Sequence, residues 1–349
     1  MKKSNGVMTI GGMMEILREH VKYALDCVSG GLAMGPKETR EGASYFVFKE
    51  GRVFAFNDEV YCSMPLDLGF EGAVKGEQLL NIVGKMQGDH ITVKYEGVEA
   101  KIMSNRRRAG FQIDATKMEA LESIEPVTNW VECDVMAPAA IGDCCGCAVD
   151  KKDDKFYKTC LHLTPEYIEA TDGLQFMRVW MTPPVEKSLL VKAYTVRKVE
   201  GLDVSEWGSN QDWLGFKTAD GLEYYARIYG DDYPELDMLA TPQEGDAFIP
   251  PQGFIESVET AKIFSKELDN PLVKVILRTD GKMMIEGKGV TGWFQEVLEA
   301  AYDGPRLEFF ANPKVLKQFA ESYTDGKISE TALSVYIEND FVYLSSIQR

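Results

Sequence analysis

Four cysteines, Cys133, Cys144, Cys145 and Cys147, crowd one short stretch and could bring thiolates to a zinc ion. A tetrahedral site favours C-x-x-C pairs that wrap one ion. Here the spacing is C-C and C-x-C, inside a segment with helical character where neighbouring side chains point apart. Small close-packed core residues are the reading this pattern favours, with a metal-dependent hydrolase as its rival. His20, His90 and His162 are scattered without an H-x-x-x-H spacing, so none is placed as a catalytic base. Asp172 has no second carboxylate in its T-D-G motif and suits a turn instead. Gly287-Lys288-Gly289 lacks the G-x-x-x-x-G-K-[ST] pattern and reads as a hairpin turn between strands. No G-x-S-x-G nucleophile elbow is present. Two basic stretches remain. Arg106-Arg107-Arg108 suits a phosphate grip or a solvated turn equally, and Lys151, Lys152 and Lys155 are interleaved with Asp153 and Asp154.

The bulk numbers set limits. A chain of 349 residues suits two or three domains, each able to bury a core. A net charge of -17 excludes a surface that is basic all over, though not a single basic lining on an acidic body. Seven cysteines, an odd number at irregular spacing, point to reduced thiols. Met1-Lys2-Lys3 is followed by Gly, Ser and Asn rather than an apolar core, and no run reaches the length of a membrane span. A soluble cytoplasmic protein is expected.

The elements that position these residues show internal repetition. Tyr167, Ile168 and Ala170 lead into Thr171-Asp172-Gly173, and 176–180 leads out: strand, polar turn, strand. Similar triple-strand patterns occupy 45–64, 159–181 and 273–298, with starts about 114 residues apart, a period that points to tandem copies of a whole small domain. Helical periodicity predicts helices over 12–29, 75–86, 134–149, 191–202, 254–268 and 312–323, two per copy. Further strands are expected at 91–95, 100–103, 110–113, 213–217, 222–228, 332–337 and 341–347. The stretch 114–129 is acidic, holds a Pro and shows no apolar face, so it reads as a surface linker; 239–253, with Pro242, Pro250 and Pro251, reads as a second. The fold class is α+β with mostly antiparallel strands, in domains 1–125, 126–245 and 246–349.

Five local motifs in this order resemble one family. They are SNRRRAGFQI, IEATDGLQF, GDDYPELDML, ETAKIFSKE and FANPKVL, and together with the threefold repeat they are similar to the bacterial-type DNA sliding clamp, the β subunit of the replicative polymerase. The resemblance covers nearly the whole chain. It departs from the family at the turn, where Leu174 and Gln175 replace His and Arg, at Ala311 and Val315, which replace Phe and Tyr, and in the ending VYLSSIQR. Those positions line the family's partner cleft, so the departures suggest a phage or mobile-element clamp, or one tuned to its own polymerase.

The resemblance implies three tandem domains of the clamp fold, each with two helices facing inward and antiparallel sheets outside. It implies a homodimeric, head-to-tail ring around double-stranded DNA that tethers a polymerase, with no catalytic activity, no cofactor and no membrane. Polymerase and clamp loader would each insert a short peptide into a cleft at Thr171, Gly173, Leu174, Gln175 and Phe176, with Asn312, Val315, Tyr343, Leu344 and Ile347. The DNA-facing positions would be Lys37, Arg40, Lys75, Lys85, Lys151, Lys152, Lys155, Lys192, Arg197, Lys198, Lys314 and Lys317. The ring seam would use Phe111, Ile263 and Phe264. The second helix of each copy is net basic while the first is not, so the lining attracts DNA weakly. A scaffold or decoy of the same fold that does not encircle DNA is the alternative.

Overall fold

The computed structural model describes residues 8–10, 13–33, 42–149, 153–230, 232–266 and 271–348. The chain forms two compact units, Met1–Gly142 with Pro184–Gly230, and Asp143–Pro183 with Asp231–Arg349. All strand pairings described below are antiparallel.

In the first unit, a 5-stranded sheet runs Met8–Ile10, Met13–Leu17, His90–Glu96, Glu99–Ser104 and Arg107–Gln112. The helix expected over 12–29 is therefore shorter than its periodicity suggested. Met14 and Ile16 point inward while Met13, Glu15 and Leu17 point out, a period of two that pairs with His90–Glu96. Helix α1 (Arg18–Val28) then buries Val21, Ala24, Leu25 and Val28. The first triple-strand copy is Tyr45–Lys49, Arg52–Phe56 and Val60–Pro65, followed by Gly72–Lys75 and helix α2 (Gly76–Lys85). Val60–Pro65 pairs with Glu223–Tyr229, so strands of the first and middle copies share one sheet. That sheet continues through Trp213–Thr218 to Val204–Ser209 and Trp130–Glu132. The polar sequence around Ser205 and Glu206 hid the Val204–Ser209 strand, whose inward anchor is Trp207.

The stretch 114–129 does have an apolar face. A 3-10 turn, Thr116–Ser123, lays Met118 and Leu121, with Ile124, on Val47, Phe56 and Ala73. Val127 then packs between Trp213 and Tyr225. Its apolar residues are too widely spaced to register as periodic, yet they tie it to the core. The helix expected over 191–202 is also broken up. Leu189–Lys192 is a strand on Glu223–Tyr229, helix α4 is only Ala193–Val196, and Arg197–Gly201 is 3-10. Helix α3 (Ala137–Gly146) is shorter than the predicted 134–149.

In the second unit, one sheet runs in the order Asp246–Phe248, Gly326–Ile328, Ala332–Ile337, Phe341–Ser346, Gln175–Trp180, Tyr167–Thr171, Cys160–Leu163. The stretch 239–253, read as a linker, thus contributes the strand Asp246–Phe248. A 4-stranded sheet, in order Trp293–Glu299, Lys282–Lys288, Val273–Leu277, Leu307–Ala311, lies under helix α5 (Phe254–Ser265); the end of the predicted helix at Leu268 lies outside the described residues. Gly287 permits this packing, because a Cβ there would lie 2.0 Å from the Ala261 carbonyl oxygen. Gly287 and Lys288 are still strand, and the turn falls one step later, where Gly289 N donates to Gly292 O at 2.9 Å. Helix α6 (Pro313–Ser322) starts where its sequence says: Pro313 opens the first turn and the Asn312 side chain accepts from Lys314 N at 2.9 Å.

Candidate functional site

The hairpin of the middle copy is set by its turn. Asp172 Oδ1 accepts from Leu174 N at 2.7 Å and Gln175 N at 2.6 Å, so this carboxylate is a structural acceptor. Thr171 Oγ1 accepts from Gly173 N at 3.0 Å and donates to Gln175 O at 2.6 Å. Gly173 takes φ 88, the left-handed region that a side chain resists. The turn leaves Leu174 51% exposed. Gln175–Trp180 carries Phe341–Ser346 alongside it, with Gln175 opposite Ser345 and Phe176 opposite Leu344. Ser346 N donates to Leu174 O at 2.8 Å, which fixes the last strand against the turn.

Of the predicted cleft residues, Leu174, Asn312 and Val315 line one cavity. Leu272, Phe310, Ser345, Ser346 and Gln348 line it too and were missed. Leu307–Ala311 alternates buried and half-buried positions, which turns Phe310 to the open side, although Phe309-Phe310 shows no alternation in the sequence. Gln348 reaches the site by pairing its backbone with Phe310, Phe310 N to Gln348 O at 2.6 Å and Gln348 N to Phe310 O at 2.8 Å. The remaining predicted residues do not line it. Thr171, Gln175 and Ile347 are buried, Leu344 is half-buried and Gly173 is exposed on the turn. Phe176 packs on Ala240 and Val342, and Tyr343 is fully buried against Tyr323 and Phe319.

An ionic chain, buried at His162, Glu169 and Arg178 and open to solvent at Asp237, lies beneath this hairpin. Glu169 and Arg178 face each other across its two strands, with Glu169 Oε2 to Arg178 Nε at 2.8 Å. His162 Nδ1 contacts Glu169 Oε1 at 2.7 Å, and Arg178 Nη2 reaches Asp237 at 2.9 Å. Tyr233 stacks on the His162 ring at 4.2 Å. Burial works against the Arg178 charge, and Glu169 and Asp237 more than restore it, so its pKa is raised. The chain pins the segment carrying Tyr233 and Asp237 to the sheet. Only the charges at facing positions of a hairpin hinted at it.

Several predicted DNA-facing cations already have partners inside the chain. Lys192 pairs with Glu59. Lys198 Nζ donates to Cys27 O at 3.1 Å and Asp26 O at 3.4 Å, capping the end of α1, whose own last turn carries no basic residue. Lys317 pairs with Glu259 of α5 at 2.6 Å, and Lys75 Nζ meets Ser44 Oγ at 2.6 Å over the Tyr45 ring. Arg197 is half-buried, whereas Lys85, Lys155 and Lys314 are exposed. Lys37, Arg40, Lys151 and Lys152 lie outside the described residues. Arg107 opens the strand Arg107–Gln112, and its guanidinium donates to Lys85 O at the end of α2. The open face of α1 shows Glu19, Lys22 and Asp26, so that helix offers DNA no net attraction.

Of the predicted seam residues, Ile263 is 63% exposed, Phe264 is half-buried and Phe111 is buried within its own sheet. Trp293, 67% exposed on the edge strand Trp293–Glu299, adds to the apolar surface of the second unit. The cysteines are core residues: Cys133, Cys144, Cys145 and Cys147 are free and buried. Burial pushes the Cys133 thiol up to about 11 and those of Cys144 and Cys147 well above their ordinary value. No group of three His, Cys, Asp or Glu among the described residues is disposed to hold a metal ion, and no described helix is long and apolar enough to cross a membrane.

No family model and no curated protein matches the chain. Solved structures do. A DNA polymerase sliding clamp from Pseudomonas aeruginosa superposes with TM-score 0.77 at 15% identity, covering 97% of this chain and 99% of that one. DNA polymerase III beta chain from Streptococcus pneumoniae gives 0.78 at 16% identity, with 97% and 99% covered. The DNA polymerase sliding clamp from Bacillus subtilis gives 0.78 at 13%, with the same coverage. At this identity the likeness establishes the fold: the chain has the sliding-clamp fold, end to end.

Proposed function

We propose that this chain is a non-catalytic DNA polymerase processivity factor, a sliding clamp that encircles duplex DNA. The observation that carries the reading is the end-to-end likeness to bacterial sliding clamps over 97% of the chain. The domains are 1–125, 126–245 and 246–349, and two chains close head to tail into a ring. A closed ring cannot leave DNA sideways, so a tethered polymerase meets the primer end at high effective concentration. Phosphate contacts that read no bases let the ring slide.

The cavity at Leu174, Asn312 and Val315, about 30 Å3 in volume, marks the place where an apolar anchor of a partner peptide, from polymerase or clamp loader, docks beside the exposed Leu174 side chain. Thr171, Gly173, Gln175, Phe176, Tyr343, Leu344 and Ile347 hold its walls in place. Few buried anchors dominate such binding. The ring seam sets the edge strand Arg107–Gln112 of one chain against Trp293–Glu299 of the next. Ile263, Phe264 and Trp293 give it an apolar centre, and the exposed Arg106 and Arg108 stand against Glu296 and Glu299. Phe111 supports this edge from beneath.

One observation favours a second reading. Among the described residues, the internal pairing of Lys192, Lys198 and Lys317 takes three of the predicted cations away from phosphate, as in a clamp-fold scaffold that does not encircle DNA. Retention on nicked circular DNA, followed by release on linearisation, is expected of the ring. A protein that never becomes topologically trapped would establish the scaffold instead.

A further inference from the structure

The cavity at Leu174 and Val315 does not end at Phe310. Leu272 and Phe310 line it on one side and on the other line a larger trough of about 590 Å3, walled by Lys274, Glu286, Lys288 and Val290. Register explains the trough. Phe310 stands opposite Lys274, and Lys274 opposite Glu286, so these side chains form a row on one face of the 4-stranded sheet. The other face is closed by α5, and Val273, Val275 and Ile285 are buried there. The row is thus the open face of a sheet whose opposite face is core.

Its charges are unevenly spent. Lys274 is held by Glu308 at 2.6 Å and lies 5.8 Å from the centre of the Phe310 ring. Lys288, two residues beyond Glu286 on the same strand face, is exposed and has no carboxylate within ion-pair distance among the described residues. An anion entering the trough is repelled from its middle by Glu286 and drawn to its far end.

We propose that the trough takes the acidic flank of the same partner peptide whose apolar anchor enters the Leu174–Val315 cavity, an inference that rests on the clamp reading of that cavity. Neighbouring strands lie about 4.8 Å apart and rise about 3.3 Å per residue, which puts Lys288 about 12 Å from Phe310 along the backbone grid. Three or four extended residues span that distance. The occupant is an extended segment with Asp or Glu three or four residues from its apolar anchor, and the side chain between them rests on Leu272 and Phe310. The apolar floor supplies buried area, and Lys288 selects the charge of what lies on it.

The test is affinity selection of a displayed random dodecapeptide library on the full-length protein, on Leu174→Asp and on Lys288→Glu. Selection on the unmodified protein is expected to enrich an apolar anchor with Asp or Glu three or four residues away. Lys288→Glu keeps the anchor and loses the acid, and Leu174→Asp loses both. The best acidic peptide binds Lys288→Glu about two- to fivefold more weakly, as for one exposed ion pair, while the same peptide with Ser for its acids is unaffected. An anchor enriched without acids, or an acid preference that survives Lys288→Glu, overturns the trough and leaves the cleft reading standing. Selection that yields no anchor sensitive to Leu174→Asp overturns both.

Discussion

The Tyr343 hydroxyl donates to Gln175 Oε1 at 2.9 Å, and both side chains are buried. This bond ties the last strand of the chain to the turn of the middle copy, behind the cavity wall. Tyr343→Phe leaves the amide oxygen buried and unpaired, which costs about 1–3 kcal/mol. Adding Gln175→Leu removes the orphaned acceptor and recovers part of that loss. Urea unfolding of the two single variants and the double variant measures the coupling. Strict additivity would mean that the bond contributes nothing.

Leu174 and Leu344 differ in a way their shared place in the predicted cleft concealed. Leu174 is half out of the structure, whereas Leu344 is half-buried in a strand opposite Phe176. Leu174→Asp is expected to leave stability within about 0.5 kcal/mol, as surface changes do, and the oligomeric state unchanged. Polymerase stimulation is abolished. Leu344→Asp loses stimulation too, but with measurable destabilisation. Light scattering, thermal melting and primer extension on one set of variants separate the two effects. Full stimulation by Leu174→Asp would remove the cleft assignment.

What the sequence made legible was mostly local. Asn312-Pro313 announces the start of α6 through a cap and a preset φ, and T-D-G announces its turn through the Asp172 acceptor. The triple-strand copies carry their own alternation. What escaped depends on partners far along the chain. Met13–Leu17 is a strand because His90–Glu96 lies beside it, although Met13 and Leu17 also fit a helical step. Met118, Leu121 and Ile124 look like scattered residues in an acidic linker until Val47 and Phe56 lie beneath them. In the candidate site the same division holds. Leu174, Asn312 and Val315 were reachable from motif positions, while Gln348 enters only through its backbone pairing with Phe310.

The ionic chain beneath the hairpin gives a third prediction. Among the described residues, Glu169→Ala leaves buried Arg178 with Asp237 as its one remaining carboxylate, and it removes a partner of His162. Breaking one side of a buried pair costs about 3–5 kcal/mol. Hydrogen exchange should show Tyr233 to Ala240 opening first, because Asp237 and Tyr233 dock on this chain. Uniform loosening of the whole unit, with no early opening there, would contradict the pinning role.

Cys62 predicts an alkaline limb. Burial raises its thiol from the ordinary 9.0 to about 12. Below pH 9 the thiol is protonated in both states and has no effect. Above it the unfolded thiol ionises while the folded one does not, so stability falls by up to about 1.4 kcal/mol per pH unit until the folded thiol titrates. Cys62→Ala loses some stability at neutral pH by leaving a small cavity, yet its slope between pH 9 and 11 is expected to be shallower. Parallel curves for the two proteins would show that the thiol does not titrate as placed.

The lysines divide into two groups that mutation should separate. Lys198 sits on the C-terminal carbonyls of α1, where a positive charge stabilises a helix by about 0.3–1 kcal/mol. Lys198→Gln should therefore lower the melting temperature and leave the salt dependence of DNA binding almost unchanged. Lys85, Lys155 and Lys314 are exposed and form no ion pair among the described residues. Changing each to Gln should barely move stability. Each that contacts a phosphate should reduce the slope of log affinity against log salt by about one. The slope is read from binding to short duplex DNA between low and moderate salt. If Lys198→Gln flattens it while the three exposed changes do not, the capping lysine is the true DNA contact and the exposed ones lie away from the duplex.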